Sequence, residues 1–490
     1  MKNKTNVNLI TVAIFLTTFM TAIEGTIVST AMPTIVSDLN GLELMNWVVS
    51  IFLLMTAVST PIYGKLADRV GRKPIFLFGI LLFVIGSALC GIAQNMIQLI
   101  LFRVIQGLGS GAIQPIAFTL IADLYPIDKR SKMLGLNSSF WGVASIIAPL
   151  LGGFIVQHLS WHWIFYINVP LGLFAMVLVQ FFLFEDHQKT SVALDYRGTF
   201  FLVTLLFALM LFLQELGEKS PLWLLLLLGI IFIGASFLFV KAEKQAKDPI
   251  LLLSMFSNRE FVCQNLITLL ISGIVIGFEF YIPTWMQGIN GTNASIAGFA
   301  VTPSSVMWIV GSFLSGTLMV KWGVRRLFDG ALSLILIADI ALLMIPTYTP
   351  FWVFCLLAAI NGLGFGTIIT ASTVRSQLLA GPENLGLATS FNTLMRYLGQ
   401  TMMISVYGIV FNLSVAHHLS QKPNLTEDMM NKIVSSVKAK QLSVDLIPQL
   451  RLVLHQALQS IYLTSLIVII IALLLNQGYR RQKQDAEDQA

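Results

Sequence analysis

The chain has 490 residues, of which 56% are hydrophobic and only 11% charged. Soluble globular proteins carry about 25% charged residues, so the composition excludes a soluble protein. A formal charge of +6 raises nucleic acid as a partner, but the Lys and Arg residues gather in short loops between apolar runs, which is a topological bias rather than a binding surface.

The apolar runs recur from end to end, each near the roughly 20 residues that cross a bilayer core of about 30 Å. They predict fourteen spans, at windows 9–32, 46–64, 74–94, 97–121, 133–157, 162–184, 197–216, 221–241, 260–288, 296–320, 327–346, 350–373, 386–413 and 457–477. The fold class is therefore an all-α polytopic membrane protein. The opening MKNKTNVN is weakly basic, but the run behind it is long, contains Glu24 and has no small-residue cleavage site. It reads as a retained first span rather than a signal peptide.

With the N-terminus in the cytoplasm, the inner loops collect Lys65, Arg69, Arg72, Lys73, Lys129, Arg130, Lys132, Lys321, Arg325 and Arg326 among others. The outer loops hold Lys219 and then only the basic residues of a 412–456 segment. Both termini are expected inside, in a bacterial cell membrane. The 412–456 segment has apolar residues at helical spacing mixed with charge. It reads as an outer amphipathic hairpin, lying on the bilayer surface or capping the exit, or as a solvated loop.

Cys90, Cys263 and Cys355 all lie in apolar runs and read as small apolar residues, without metal or disulfide spacing. There is no GxxxxGK[ST], no HExxH and no paired CxxC, so no motif binds ATP or zinc. No nucleophile–base set stands out either, and an enzyme is not expected.

The chain repeats itself. IQGLGSGAI (105–113) matches INGLGFGTI (360–368), YGKLADRVGRK (63–73) matches SGTLMVKWGVRR (315–326), and MPTIV (32–36) matches IPTWM (282–286). Three landmarks recur in order at offsets of 255, 252 and 250. The division is a six-helix bundle over 1–190, two inserted spans over 191–250, and a second six-helix bundle over 251–490 that carries the 412–456 segment. Paired bundles with a site between them are a transporter plan.

Three spans carry a polar stripe with an ionisable group. Thr17, Thr21 and Glu24 share one face of the first span, Arg103, Gln106, Ser110 and Gln114 one face of the fourth, and Thr268, Ser272 and Glu279 one face of the ninth. Lipid cannot satisfy such stripes, so they look inward. By helical rise Glu24 is about 13 Å, Arg103 about 10 Å and Glu279 about 12–15 Å from the outer side. Two readings stay open. Glu24 and Arg103 form a fixed buried ion pair, or Glu24 and Glu279 exchange protons or face a cationic substrate while Arg103 sets the balance. Phe278, Tyr281, Trp285, Met286, Met307 and Trp308 read either as an adaptable apolar lining or as packing and lipid-facing residues. Asp339 and Arg396, both roughly 15 Å from the inner side, are candidates to pair with each other.

Four ordered stretches carry a family resemblance. GKLADRVGRK (64–73) looks like motif A of the major facilitator superfamily, and LILFRVIQGLGSGA (99–112) is similar to motif B of its proton-driven members. IEGTIVSTAMP (23–33) and WHWIFYINVPLG (161–172) resemble the LDxTIVNVALP and WRWIFyINvPiG patterns of its fourteen-span drug:proton antiporters. The family aspartate is Glu24 here. The antiporter motif GxxxGPxxGG stands as ASIIAPLLGG (144–153), keeping Pro149, Gly152 and Gly153 but replacing two glycines by Ala144 and Ala148.

The resemblance implies a major facilitator fold with proton-coupled efflux of lipophilic, cationic compounds by alternating access. It implies a conformational gate at Gly64, Asp68, Arg69, Gly71 and Arg72, with Asp68 at a helix N-terminus of the other half and Arg72 paired to Asp123. It places Asn361 with Glu24, Arg103 and Glu279 in a cavity that Gln106, Gln114, Tyr281 and Trp308 also line, and the peripheral eleventh span gives Asp339 a structural role. The implied ligands are small molecules and protons. The implied surroundings are the lipid bilayer, with no nucleic acid, no cofactor beyond the proton gradient, and a monomeric chain. Export of one specific metabolite or lipid, and a membrane sensor without transport, remain alternatives.

Overall fold

The computed structural model describes residues 5–185, 196–216, 220–246, 253–380 and 385–487. Among these there is no strand. The helices are α1 (Val7–Leu39), α2 (Met45–Val70), α3 (Arg72–Cys90), α4 (Met96–Leu124), α5 (Ile127–His158), α6 (Trp163–Tyr166), α7 (Asn168–Phe182), α8 (Tyr196–Glu215), α9 (Leu222–Gln245), α10 (Arg259–Gly288), α11 (Ala294–Met344), α12 (Phe351–Ala380), α13 (Leu385–Ser420), α14 (Glu427–Ile433) and α15 (Ile447–Glu487).

Eleven of them are long and apolar enough to cross a membrane. The 51-residue α11 holds two of the predicted spans, and the shorter apolar stretches Gly142–His158 and Arg197–Leu213 match the other two, so all fourteen windows fall on helix. The protein is a multi-pass membrane protein. Trp223, Ile230, Ile233 and Phe237 of α9 stand exposed, a surface that suits lipid and not water.

The joint inside α11 is Gly323, with φ 76° and ψ 156°. Gly71, between α2 and α3, has φ 109° and ψ 152°. That region of backbone space is open essentially to glycine alone, which explains why both copies of the GKLADRVGRK stretch keep a glycine there. Asparagine side chains cap the first helix of each copy: Asn6 accepts from the Leu9 amide, and Asn258 from the Glu260 and Phe261 amides.

The chain forms two compact units, Met1–Leu209 with Leu226–Ile250, and Met210–Leu225 with Leu251–Ala490. The inserted helices α8 and α9 are shared between them. Inside each unit the repeat is written in the packing. In the first, a Cβ on Gly107 or Gly111 would press on the Phe52 or Thr56 carbonyl of α2, and one on Gly109 on Gly79 and Phe83 of α3. In the second, Gly362 and Gly366 meet Ser304 and Trp308, and Gly364 meets Ala331 and Ile335, all of α11. The glycines differ by 255 and their partners by 252, the same offsets as the sequence landmarks.

The 412–456 segment is largely helical and partly buried against protein. α13 continues to Ser420 and α15 starts at Ile447. Between them the short α14 buries Met430, Ile433 and the adjacent Val434, and Arg451 Nε donates to the Gly288 carbonyl at the end of α10 (3.3 Å). Part of the apolar set packs on protein, while Val437 and Val444 stand exposed.

Candidate functional site

In the first unit the acid of α1 meets the cation of α4. Arg103 Nη1 is paired with Glu24 Oε1, and Asn168 Nδ2, at the start of α7, donates to Glu24 Oε2 (2.7 Å). Glu24 is fully buried and Arg103 is 1% exposed. Each carboxylate oxygen therefore has its own donor, which suits an ionised acceptor. The guanidinium has further partners: Nη1 donates to Gln106 Oε1 (2.7 Å), Nε donates to the Val48 carbonyl (3.0 Å), and the Phe52 ring lies 4.0 Å from Cζ. Gln106 Nε2 in turn donates to Ser87 Oγ of α3 (2.7 Å). Five helices of one bundle thus converge on a single charge pair that water does not reach.

Tight helix approach sets this up. A Cβ at Gly86 would strike the backbone of Gln106, so α3 lies against α4 where Ser87 and Gln106 bond. Gly152 packs on Ile27 of α1, with Ala144, Ala148 and Pro149 buried on the same helix α5, as is Gly153. The small residues of the antiporter-like stretch press α5 onto the helix that carries Glu24.

In the second unit the acids have other partners. Glu279 of α10 is partly exposed and interacts electrostatically with Arg396 of α13. Asp339 of α11 is 1% exposed and accepts from Asn361 Nδ2 of α12 (3.3 Å). The expected Asp339–Arg396 pairing does not form. Asp339 shares its electrostatic surroundings with Tyr407 and Tyr462, and Tyr407 is eleven residues beyond Arg396, about 16 Å along α13.

The residues expected to line a cavity divide. Gln106, Tyr281 and Asn361 are completely buried inside their units, the first and last bonded as above and Tyr281 packed on Tyr407 and Phe411. Gln114, Glu279 and Trp308 keep partial exposure. Trp285 is a packing residue, buried against Phe354, His455 and Tyr462.

At the expected gate, Arg72 is ion-paired with Asp123 of α4 and its Nη1 also donates to the Thr119 carbonyl (3.3 Å). Lys73 Nζ donates to the Gln180 and Leu183 carbonyls at the end of α7, both 2.8 Å, a cation on a helix C-terminus. Gly64 lies in α2 with open space around it. The side chains of Asp68 and Arg69 lie outside the described residues.

Sequence reasoning missed three participants. Asn168 sits within the WHWIFYINVPLG stretch, where a lone amide in an apolar run was the available signal. Ser87 is an ordinary small residue until its bond to Gln106 is seen. Glu185, whose carboxylate accepts from the Arg72 and Lys73 amides at the start of α3 (2.9 and 3.0 Å), lies beyond its span with no periodic signal.

Comparison with known proteins gives a consistent picture. The profile of the Major Facilitator Superfamily matches residues 14–403. Multidrug resistance protein 3 of Bacillus subtilis (strain 168) is 37% identical over 398 residues, covering 80% of this chain and 77% of that protein. The multidrug transporter protein MdtP of the same organism is 33% identical, over 96% and 93%, and the multidrug efflux pump SdrM of Staphylococcus aureus (strain N315) is 32% identical, over 82% and 89%. Among solved structures, a bacterial homolog to the human lysosomal transporter Spinster, inward-facing and occupied, superposes with a TM-score of 0.68 at 16% identity, covering 96% of each chain.

Proposed function

The chain belongs to the major facilitator superfamily, and from that premise we propose that it is a proton-coupled multidrug efflux pump for lipophilic, cationic compounds, working by alternating access. It sits in a bacterial cell membrane with both termini in the cytoplasm. The relatives named for multidrug transport support the export of diverse compounds. The observation that carries the proton coupling is the buried Glu24–Arg103–Asn168 cluster.

A charge pair fully removed from water is costly, and an apolar pair often packs as well. Its use lies in having two arrangements. A proton arriving on Glu24 discharges the carboxylate and leaves Arg103 held by Gln106, the Val48 carbonyl and the Phe52 and Phe165 rings, with no anion beside it. That loosens the tie between α1, α4 and α7. Loss of the proton restores it. Glu279, partly exposed beside Arg396, is the second carboxyl in this scheme and the one open to a cation. At a membrane potential of 100 mV, moving one charge supplies about 2.3 kcal/mol, and a pH gradient adds to it.

Efflux of a fluorescent lipophilic cation from energised inverted vesicles tests this. An uncoupler is expected to abolish efflux, and Glu24→Gln and Glu279→Gln each to reduce it and alter its pH profile while the protein remains folded in detergent. Full-rate pumping with an unchanged pH profile in both variants removes the proton-carrier roles. Resistance profiling of a deletion strain separates a broad substrate range from export of a single metabolite.

A further inference from the structure

We propose that Asp339 and Asn361 form a second proton-binding site, inside the second unit, that holds its proton in the conformation seen here. The proposal rests on the proton-coupled reading above and adds a carboxyl that reading does not use.

Asp339 is 1% exposed and Asn361 fully buried. One bond joins them, Asn361 Nδ2 to Asp339 Oδ1. The remaining oxygen of each, Asp339 Oδ2 and Asn361 Oδ1, is buried without a hydrogen-bond partner. Both are acceptors if the acid is ionised, and neither can satisfy the other. A proton on Asp339 Oδ2 converts it to a donor, and one O–H···O bond to Asn361 Oδ1 satisfies both orphans and closes an acid–amide ring. The proton binds a carboxylate oxygen lone pair, and no other bond is made or broken.

The surroundings favour the neutral acid. Among the described residues no cation is paired with Asp339; its electrostatic neighbours are Tyr407 of α13 and Tyr462 of α15. The Tyr407 hydroxyl bonds Ser465 (2.7 Å), and the Tyr462 hydroxyl is buried without a partner. Tyr281 of α10 lies beyond Tyr407. His455 meets the Trp285 ring edge-on and bonds the Ile345 carbonyl. An ionised carboxylate without a cation in such a place takes up a proton instead. A hard divalent cation needs six or more oxygens, and the site offers two free acceptors and a phenol.

The internal repeat sharpens the assignment. Residue 339 stands 252 after Ser87 and residue 361 stands 255 after Gln106, the offsets that relate the packing of the two units. The Asn361–Asp339 bond is therefore the counterpart of the neutral Gln106–Ser87 bond. The position that would match Arg103 is Ala358. The second unit has placed an acid where the first has a hydroxyl, and has no arginine to neutralise it. Deprotonation leaves a charge this arrangement does not hold, so it favours another conformation.

Infrared difference spectra of the full chain in nanodiscs, titrated with pH, read the protonated carboxyl directly. We expect a buried carboxylic-acid C=O band that Asp339→Asn removes and Glu24→Gln leaves in place. Proton release on adding a fluorescent lipophilic cation is expected to fall by one proton per molecule in Asp339→Asn. It is expected to fall equally in Asp339→Ser with Asn361→Gln, which rebuilds the neutral pair of the first unit and guards against a folding defect. A band that survives Asp339→Asn, proton release that both variants leave unchanged, or sodium-dependent stabilisation lost in Asp339→Asn overturns the proposal. Wild-type efflux insensitive to an uncoupler would overturn the proton-coupled reading instead, while the band would still be read.

Discussion

Removing either member of the Glu24–Arg103 pair strands the other in a place water does not reach. Arg103→Met leaves the carboxylate with the Asn168 amide alone and frees two acceptors, Gln106 Oε1 and the Val48 carbonyl. Glu24→Met leaves the guanidinium with those acceptors and the Phe52 face but no anion. Breaking a buried pair from one side costs about 3–5 kcal/mol, whereas replacing both members by apolar groups of similar volume is often close to neutral. In the double variant Asn168, Gln106 and the Val48 carbonyl each lose a partner, at about 1 kcal/mol apiece. The single variants are therefore expected to destabilise by about 3–5 kcal/mol each, and the double by well under their sum. Equilibrium unfolding of the detergent-solubilised protein in SDS, followed by tryptophan fluorescence, measures all four corners of the cycle. Distant, independent sites add to within about 0.5 kcal/mol. Additivity at that level would show that the two charges do not depend on each other, and the reasoning about a switchable pair would fail with it.

Other outcomes follow from single positions. Gly323→Ala places a side chain at φ 76°, ψ 156° and is expected to cost about 1–3 kcal/mol, read as a lower thermal midpoint in detergent. Gly362→Ala drives a Cβ into the Ser304 backbone, which cannot swing aside as a side chain can; overpacking of this kind costs about 1–3 kcal/mol, by the same assay. Arg72→Ala breaks an ion pair whose side chains are 23% and 51% exposed, so stability is expected to change by about 1 kcal/mol or less. Efflux is expected to fall much further, and loss of both in proportion would show a purely structural pair. Asn168→Leu removes one donor from a buried carboxylate, at about 1.5–3 kcal/mol, and is expected to shift the pH profile of efflux, which simple loss of packing leaves alone.

The Glu24–Arg103 meeting was legible because an acid and a cation inside lipid-like runs have few ways to be satisfied other than by each other. The repeat was legible because close helix packing demands glycine at fixed spacing, and the matching glycines lie hard against the neighbouring helices in both units. Asn168 was not legible as the third partner: a neutral amide at the start of a helix has no periodic signature, and only the fold brings α7 to α1. Pairing Asp339 with Arg396 failed for a different reason. Counting rise from span ends puts both at one depth, but the α13 side chain that shares the electrostatic surroundings of Asp339 is Tyr407, eleven residues beyond Arg396. Depth along a sequence fixes a level only when two helices start at the same level, and nothing in the residues says whether they do.

The two halves of the repeat solve the same packing problem with different charges, and the difference has a direction. Where the first unit spends a cation to keep its acid ionised, the second gives its acid a single neutral amide and leaves one oxygen of each group without a partner. Had the repeat served stability alone, Ser87 and Gln106 show that a hydroxyl and an amide suffice at these positions, with no orphaned oxygen between them. An acid at residue 339 therefore adds nothing to the packing that the first unit lacks, while it adds a group whose hydrogen bonding is complete only with a proton in place. A static structural role predicts that Asp339→Ser with Asn361→Gln is silent in transport and stabilising in unfolding. A proton-binding role, in which the bound proton already completes the hydrogen bonding, predicts little change in stability together with a loss of proton release, and the two measurements on one variant decide between them.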